Sequence, residues 1–444
     1  MPRLFGTDGV RGVAGSELTE EFARSLGRAA VLALEHHAEG HPSFVIGRDT
    51  RASGEQLERA LVDGISSAGG KALLAGVQTT PAIAFLTVEL GSTSGVVISA
   101  SHNPAEYNGI KFFGPNGMKL ADPVEDEIES LLGLQEGDAA VEPRSEPEPI
   151  EDSDRRYVDH LAAAAEAPLD GIRLIVDCAN GAACSEGQEA LRRLGARVEA
   201  IFDRPDGMNI NDGCGALHPE VVARAVVERG ANAGVAFDGD ADRALFSDAS
   251  GNVIDGDQVL AGLAVAMKDE RRLSGDTIVT TVMANLGLTR AMEGLGIKVL
   301  TTAVGDRYVL EGMLASGAVL GGEQSGHVIL TEHATTGDGI LTAVKLLSFA
   351  AKRGTTIAEL ASVMRRYPQV MENVTVAHRE KLDDADAVWE AVAEAEAALG
   401  NAGRVLVRAS GTEPLVRVMV EAESEGDAAG LARAIAERVR SELG

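Results

Sequence analysis

Short runs rich in Val and Ile recur along the chain, at residues 43–46, 95–99, 172–177, 234–237, 277–282 and 319–320, with Ala-rich stretches of helical length between them. Residues 19–34 are representative: Phe22, Leu26, Ala30 and Ala33 recur roughly one turn apart, the period of an amphipathic helix. Strand and helix in alternation predict parallel sheets covered by helices, an α/β fold. A length of 444 residues exceeds what one core usually organises, and a hydrophobic share of 45% suffices for several cores.

Boundaries follow from breaks in this pattern. Residues 133–154 are acidic, contain Pro143, Pro147 and Pro149 and have no apolar period, so they read as an exposed connection. A second break falls at Tyr367-Pro368, after a helix-like stretch at 357–366, and is followed by a β-like run and the polar residues 379–384. The strand–loop–helix pattern restarts near Gly171 and near Gly275. Four lobes are expected, at 1–153, 154–254, 255–366 and 367–444, the last a small separate α+β lobe.

Charge narrows the partners. With 40 basic and 68 acidic residues the net charge is −28, which repels nucleic acid and anionic membranes, so any anionic ligand needs a local cationic cluster. Cys178, Cys184 and Cys214 form no C-x-x-C pair and read as reduced, buried thiols. No stretch approaches the ~20 apolar residues of a membrane span and no signal core opens the chain, so a cytoplasmic protein is expected.

Four loops carry chemistry. The first, Ser99-Ala-Ser-His-Asn-Pro104 with Asn108-Gly-Ile-Lys111, leaves the C-terminal end of a strand, where open α/β sheets place ligands. Ser101 is a candidate nucleophile. In an extended chain His102 would point to the opposite side, so Lys111 is the better proton-transfer partner, while a local turn around Ser101 and Asn103 is the competing reading.

The second, Asp238-Gly-Asp-Ala-Asp-Arg243, sets three carboxylates at alternate positions, which in an extended loop share one side and call for a divalent cation. An EF-hand would need Gly and Glu where Arg243 and Ala249 stand, whereas Mg²⁺ with coordination left open for a phosphate oxygen suits three carboxylates. A solvated acidic turn is the alternative.

The third, Gly321-Gly-Glu-Gln-Ser-Gly-His327, offers groups that suit sugar hydroxyls or an amino group, and equally a glycine-rich turn. The fourth, Arg408-Ala-Ser-Gly-Thr-Glu-Pro414 with Arg417, is either a phosphate cradle or an exposed hairpin with paired arginines. No Walker A, dinucleotide, nucleophile-elbow or zinc-protease motif occurs.

In order and spacing the four loops resemble the signature loops of the α-D-phosphohexomutase family, over nearly the whole chain. The resemblance implies four lobes around a central cleft, three of mixed α/β sheet and a smaller C-terminal α+β one, with phosphoserine at Ser101 as the phosphoryl carrier. It implies that Asp238, Asp240 and Asp242 hold one Mg²⁺ together with an oxygen on Ser101, and that Lys111, Arg11 and His102 attend the transferring group. Arg243, Glu323, Ser325 and His327 would bind the sugar; Arg408, Ser410, Gly411, Thr412 and Arg417 would bind the phosphate that is not reacting.

The opening Phe5-Gly-Thr-Asp-Gly-Val-Arg-Gly12, Gln324 and the tail 408–421 resemble the amino-sugar branch of the family; the mannose and glucose branches usually carry Met or another residue at the position of Gln324. That branch converts glucosamine 6-phosphate to glucosamine 1-phosphate through a hexosamine 1,6-bisphosphate, which is intermediate or primer, toward UDP-N-acetylglucosamine. A homodimer is common in the family, and Tyr367-Pro368 would be the natural hinge. The rival readings are the mannose or glucose mutases and a metal-dependent sugar phosphatase.

Overall fold

The computed structural model describes residues 3–6, 9–37, 40–132, 146–410 and 414–444. Thr7 and Asp8 of the opening motif, most of the acidic connection, and Gly411 and Thr412 of the fourth loop lie outside the described residues. The chain forms two compact units, Met1–Val282 with Ile297–Ser362, and Met283–Gly296 with Val363–Gly444.

The first unit holds three mixed sheets. In the first, strands run in the order Val10–Val13, Tyr107–Phe113, Ser94–Ile98, Ser43–Arg48, Lys71–Val77 and Glu148–Pro149; the last four are parallel, and Tyr107–Phe113 pairs antiparallel with both its neighbours. The second runs Val253–Ile254, Ala244–Asp248, Ala233–Phe237, Arg173–Asp177 and Arg197–Ile201, and the third Lys298–Thr302, Thr277–Thr281, Leu320–Gly322 and Val328–Leu330. Central strands read as continuous apolar runs because both faces are covered: Val96, Val97 and Ile98 are fully buried, as are Val235, Ala236 and Phe237. The six apolar runs all become strands.

Small residues let the covering helices approach closely. Helix Glu20–Leu34 starts where the Thr19 side chain accepts from the Phe22 N–H at 3.1 Å, and buries Ala23, Leu26, Ala29, Ala30 and Ala33. It crosses helix Gly54–Ser67 at Gly64, where a Cβ would stand 2.0 Å from the Arg24 carbonyl oxygen. Among the described residues no helix is long and apolar enough to cross a membrane.

The second unit is a three-stranded antiparallel sheet, Gln369–Thr375, Leu415–Glu421 and Arg404–Ala409, with helices Asp386–Leu399 and Glu425–Leu443. It also takes Met283–Gly296, from the middle of the chain. Asn285 donates to the Tyr367 carbonyl at 3.0 Å and accepts from the Tyr367 N–H at 2.9 Å, and it donates to Glu421 at 3.0 Å.

Three expectations are corrected. The helix at 357–366 is only Ile357–Ala361, capped reciprocally by Thr356 and Glu359. Tyr367-Pro368, expected as the hinge, lies inside the second compact unit and is tied to Asn285 there; the chain passes between the units at 282/283, 296/297 and 362/363. Cys178 and Cys214 are buried thiols, but Cys184, at the start of helix Ala183–Arg193, is only half-buried.

Replacing Gly64 by Ala must push the two helices apart, and overpacking of that size costs about 2 kcal/mol. Urea unfolding of Gly64→Ala should show the first unit's transition at lower denaturant with its slope kept.

Candidate active site

Ser101 leaves the buried strand Ser94–Ile98 and is itself fully buried. Its φ of +50° turns the chain into the left-handed region, and the residue is held there from three sides. Its N–H donates to Ser99 Oγ at 2.9 Å, and its carbonyl accepts from Arg51 at 3.0 Å and from Asn211 at 2.9 Å. The hydroxyl donates to Asp238 Oδ2 at 2.6 Å.

The left-handed turn overturns the extended-chain argument about His102. Its Nδ1 lies 3.3 Å from Ser101 Oγ, so the two side chains do meet. Burial, then the charges of Arg243 and Arg11, push the imidazole down to about 4, which leaves it neutral.

Asp238, Asp240 and Asp242 follow strand Ala233–Phe237, and a carboxylate oxygen from each lies within 4.8 Å of the others. Their convergence is not that of an extended loop: Ala241, at φ +57°, reverses the chain between them. Gly239 lets this loop meet the serine loop, since a Cβ there would lie 2.6 Å from the Ser101 carbonyl oxygen. Burial first, then Asp242 and Asp240, push the Asp238 carboxyl well above its ordinary value. Burial also opposes ionisation of Asp242, but His327, Lys111 and Arg243 outweigh it and hold that carboxyl well below the usual range.

Cations and donors from other elements surround the three. Lys111, on strand Tyr107–Phe113, sits 3.3 Å from Asp240 and 4.0 Å from Asp242. Arg243 approaches Asp242 at 3.7 Å and its N–H donates to Asp238 at 3.2 Å. His327 Nδ1 is 3.6 Å from Asp242, and the Gly337 N–H lies 3.1 Å from its Nε2. Arg11, paired in register with Gly109, faces Asp240 and Asp242 electrostatically.

Among the described residues, Asp240 Oδ1 and Asp242 Oδ1 are buried without a hydrogen-bond partner. Buried anionic oxygens left this way are strongly disfavoured unless a cation meets them, so the triad fits a divalent metal.

The third loop is a hairpin between Leu320–Gly322 and Val328–Leu330, brought against the metal loop by the bridge between Arg243 and His327. Glu323 accepts from the Gly305 N–H at 3.1 Å, and Ser325 Oγ has no hydrogen-bond partner among the described residues. In the second unit Arg408 and Arg417 stand directly opposite each other on antiparallel strands, and Ser410 is buried beside them. Burial, then Arg417, lowers the affinity of Arg408 for its proton, an arrangement that an anion relieves.

The chain matches, in order, the phosphoglucomutase/phosphomannomutase alpha/beta/alpha domains I (residues 2–136), II (155–251) and III (255–367) and the C-terminal domain (371–438). It is 52% identical over 445 residues to the phosphoglucosamine mutase of Thermobifida fusca, covering 100% of this chain and 99% of that one. The chain belongs to the phosphoglucomutase/phosphomannomutase family.

Another member, the phosphoglucosamine mutase of Corynebacterium jeikeium, is 53% identical over 98% of this chain and 99% of its own. The crystal structure of a phosphoglucomutase/phosphomannomutase family protein from Burkholderia thailandensis superposes with a TM-score of 0.81 at 26% identity, over 99% of this chain and 97% of that one. The Aspergillus fumigatus N-acetylphosphoglucosamine mutase, solved with GlcNAc-6P and magnesium, shares the fold with a TM-score of 0.72 at 20% identity, over 99% of this chain and 96% of that one.

Sequence reasoning missed three residues that build this phosphohexomutase site. Arg51 is buried against Asp49 at 2.9 Å and donates to the carbonyls of Ser101, Asn103 (2.8 Å), Pro104 and Tyr107 (2.9 Å). Asn211 donates to Ser101 and Asn103, and Thr80 Oγ1 donates to Asp240 Oδ2 at 2.6 Å. A usable signal existed for Arg51: like the loops that were singled out, Arg48-Asp-Thr-Arg51 follows an apolar strand directly.

Lysine cannot reproduce four carbonyl contacts, so Arg51→Lys should lower kcat on the order of 100-fold with KM little changed, read by steady-state turnover. Asp240→Asn removes a charge from the triad, and calorimetric titration with Mg²⁺ should show affinity weakened at least about tenfold.

Proposed function

We propose that this phosphosugar mutase interconverts glucosamine 6-phosphate and glucosamine 1-phosphate, with Ser101 carrying the phosphoryl group. The observation that carries the substrate is the end-to-end match, at 52% identity, to phosphoglucosamine mutases. The Ser101 hydroxyl, 2.6 Å from Asp238 in the buried acidic cluster, supports its role.

Phospho-Ser101 gives its group to O1 of the 6-phosphate: the bond from phosphorus to Ser101 Oγ breaks and one to O1 forms. Lys111, held beside Asp240, hands a proton to the departing Oγ and regains one from O1, so the proton count closes. The resulting 1,6-bisphosphate turns over, and its 6-phosphate returns to Ser101 by the reverse step. Asp238, Asp240 and Asp242 would hold Mg²⁺, which would supply positive charge for the oxygens of the transferring group. Arg11, Arg243 and His102 line the same place and steady that group. Glu323, Ser325 and His327 orient the sugar. Arg408, Ser410 and Arg417, with Gly411 and Thr412, take the phosphate that is not reacting.

Intact mass of the purified protein should reveal a fractional phosphate adduct that Ser101→Ala lacks. That variant should lose mutase turnover by at least about 1,000-fold, since the nucleophile itself is gone. Undiminished turnover of Ser101→Ala would remove the phosphoserine route.

A further inference from the structure

Helix Asp306–Ser316 begins at a carboxylate that the scheme above does not use. Gly305, at φ +134°, turns the chain into this helix, and its N–H is fixed on Glu323 Oε1 at 3.1 Å. The Asp306 side chain therefore emerges beside the sugar loop. It lines a small void with Thr80, Lys111, Asp242 and Thr336. It also lines a cavity of about 220 Å³ with Lys119, Arg307 and His327.

Cations are near Asp306 but none is bound to it. It lies close enough to favour the charged forms of Arg11, Lys119 and His327. Yet among the described residues its carboxylate makes no hydrogen bond and no ion pair. Lys119 pairs with Glu125 at 3.6 Å, and Arg307 pairs with Asp122 and with Glu311 at 2.8 Å.

A half-buried carboxylate facing a ligand cavity without a partner is suited to a cationic group on that ligand. Apart from their phosphates, glucose and mannose phosphates offer only hydroxyls; an amino sugar offers an ammonium. Glu323, the other carboxylate at the sugar loop, already accepts from Gly305. We infer that Asp306 binds the 2-ammonium group of the substrate and sets the preference for an amino sugar over its hydroxyl counterparts. The inference rests on the glucosamine reading above.

The competing role is purely structural, a negative charge favouring the first turn of the helix. That role predicts lower stability and no change of preference. The test is calorimetric titration of the full-length wild type, Asp306→Asn and Asp306→Glu with glucosamine 6-phosphate and glucose 6-phosphate, alongside wild-type turnover of glucosamine 6-phosphate. Asp306→Asn should bind glucosamine 6-phosphate about tenfold more weakly and glucose 6-phosphate within about twofold of wild type, erasing the preference. Asp306→Glu, which keeps the charge, should keep most of it. Equal weakening for both sugars, or an unchanged preference in Asp306→Asn, overturns the role of Asp306 while wild-type turnover leaves the substrate reading standing. A wild type that does not turn over glucosamine 6-phosphate overturns both.

Discussion

Three carboxylates gathered within 4.8 Å in a buried place repel one another, and the first unit is arranged around that repulsion. Each neutralising group arrives from a different element: Lys111 from an added antiparallel strand, Thr80 from a helix start, Arg243 from the loop itself and His327 from a hairpin of another sheet. Even so the compensation is uneven, with Asp242 held ionised and Asp238 pushed toward its protonated form. Two oxygens remain without hydrogen-bond partners. A divalent cation would complete this set, so the cost of assembling the triad becomes affinity for the ion.

Ser101 depends on the same arrangement. Ser101 can reach Asp238 only from a left-handed backbone, which an L-residue adopts at a cost, and the surroundings must over-determine it. Arg51 and Asn211 do so from two directions by binding the loop's carbonyls rather than its side chains. The Asp49–Arg51 pair is itself buried and passes its hold to Ser101 through Ser99. A residue within hydrogen-bond reach of its partner through fixed backbone needs little reorganisation when phosphoryl transfer occurs.

This division explains what the sequence disclosed. Strands ending in polar loops are local features, so the α/β class and the acidic triad were legible from adjacent residues, whereas the antiparallel strands added to each sheet were not. Backbone reversals at Ser101 and Ala241 were not, because neither residue type announces a left-handed conformation; both extended-chain arguments failed there. Partners brought from a distance were equally hidden: Arg51 is separated from Ser101 by 50 positions and Asn211 by 110. The placement of Met283–Gly296 in the second unit has the same cause. Asn285 satisfies both backbone groups of Tyr367, and nothing near Asn285 in the chain foretells that.

The chain thus carries two electrostatic arrangements of opposite sign, each favourable only in company. In the first unit the carboxylate triad calls for a cation; in the second, arginines placed directly opposite on paired strands, where like charges repel, call for an anion. A phosphatase acting on one phosphate requires only the first. Retaining a molecule that must present each of two phosphates in turn calls for a hold on the phosphate that is not reacting, and paired arginines are chemically suited to hold a phosphate without chemistry of their own. The pairing of a metal-ready cluster with a separate anion site therefore fits a mutase better than a hydrolase.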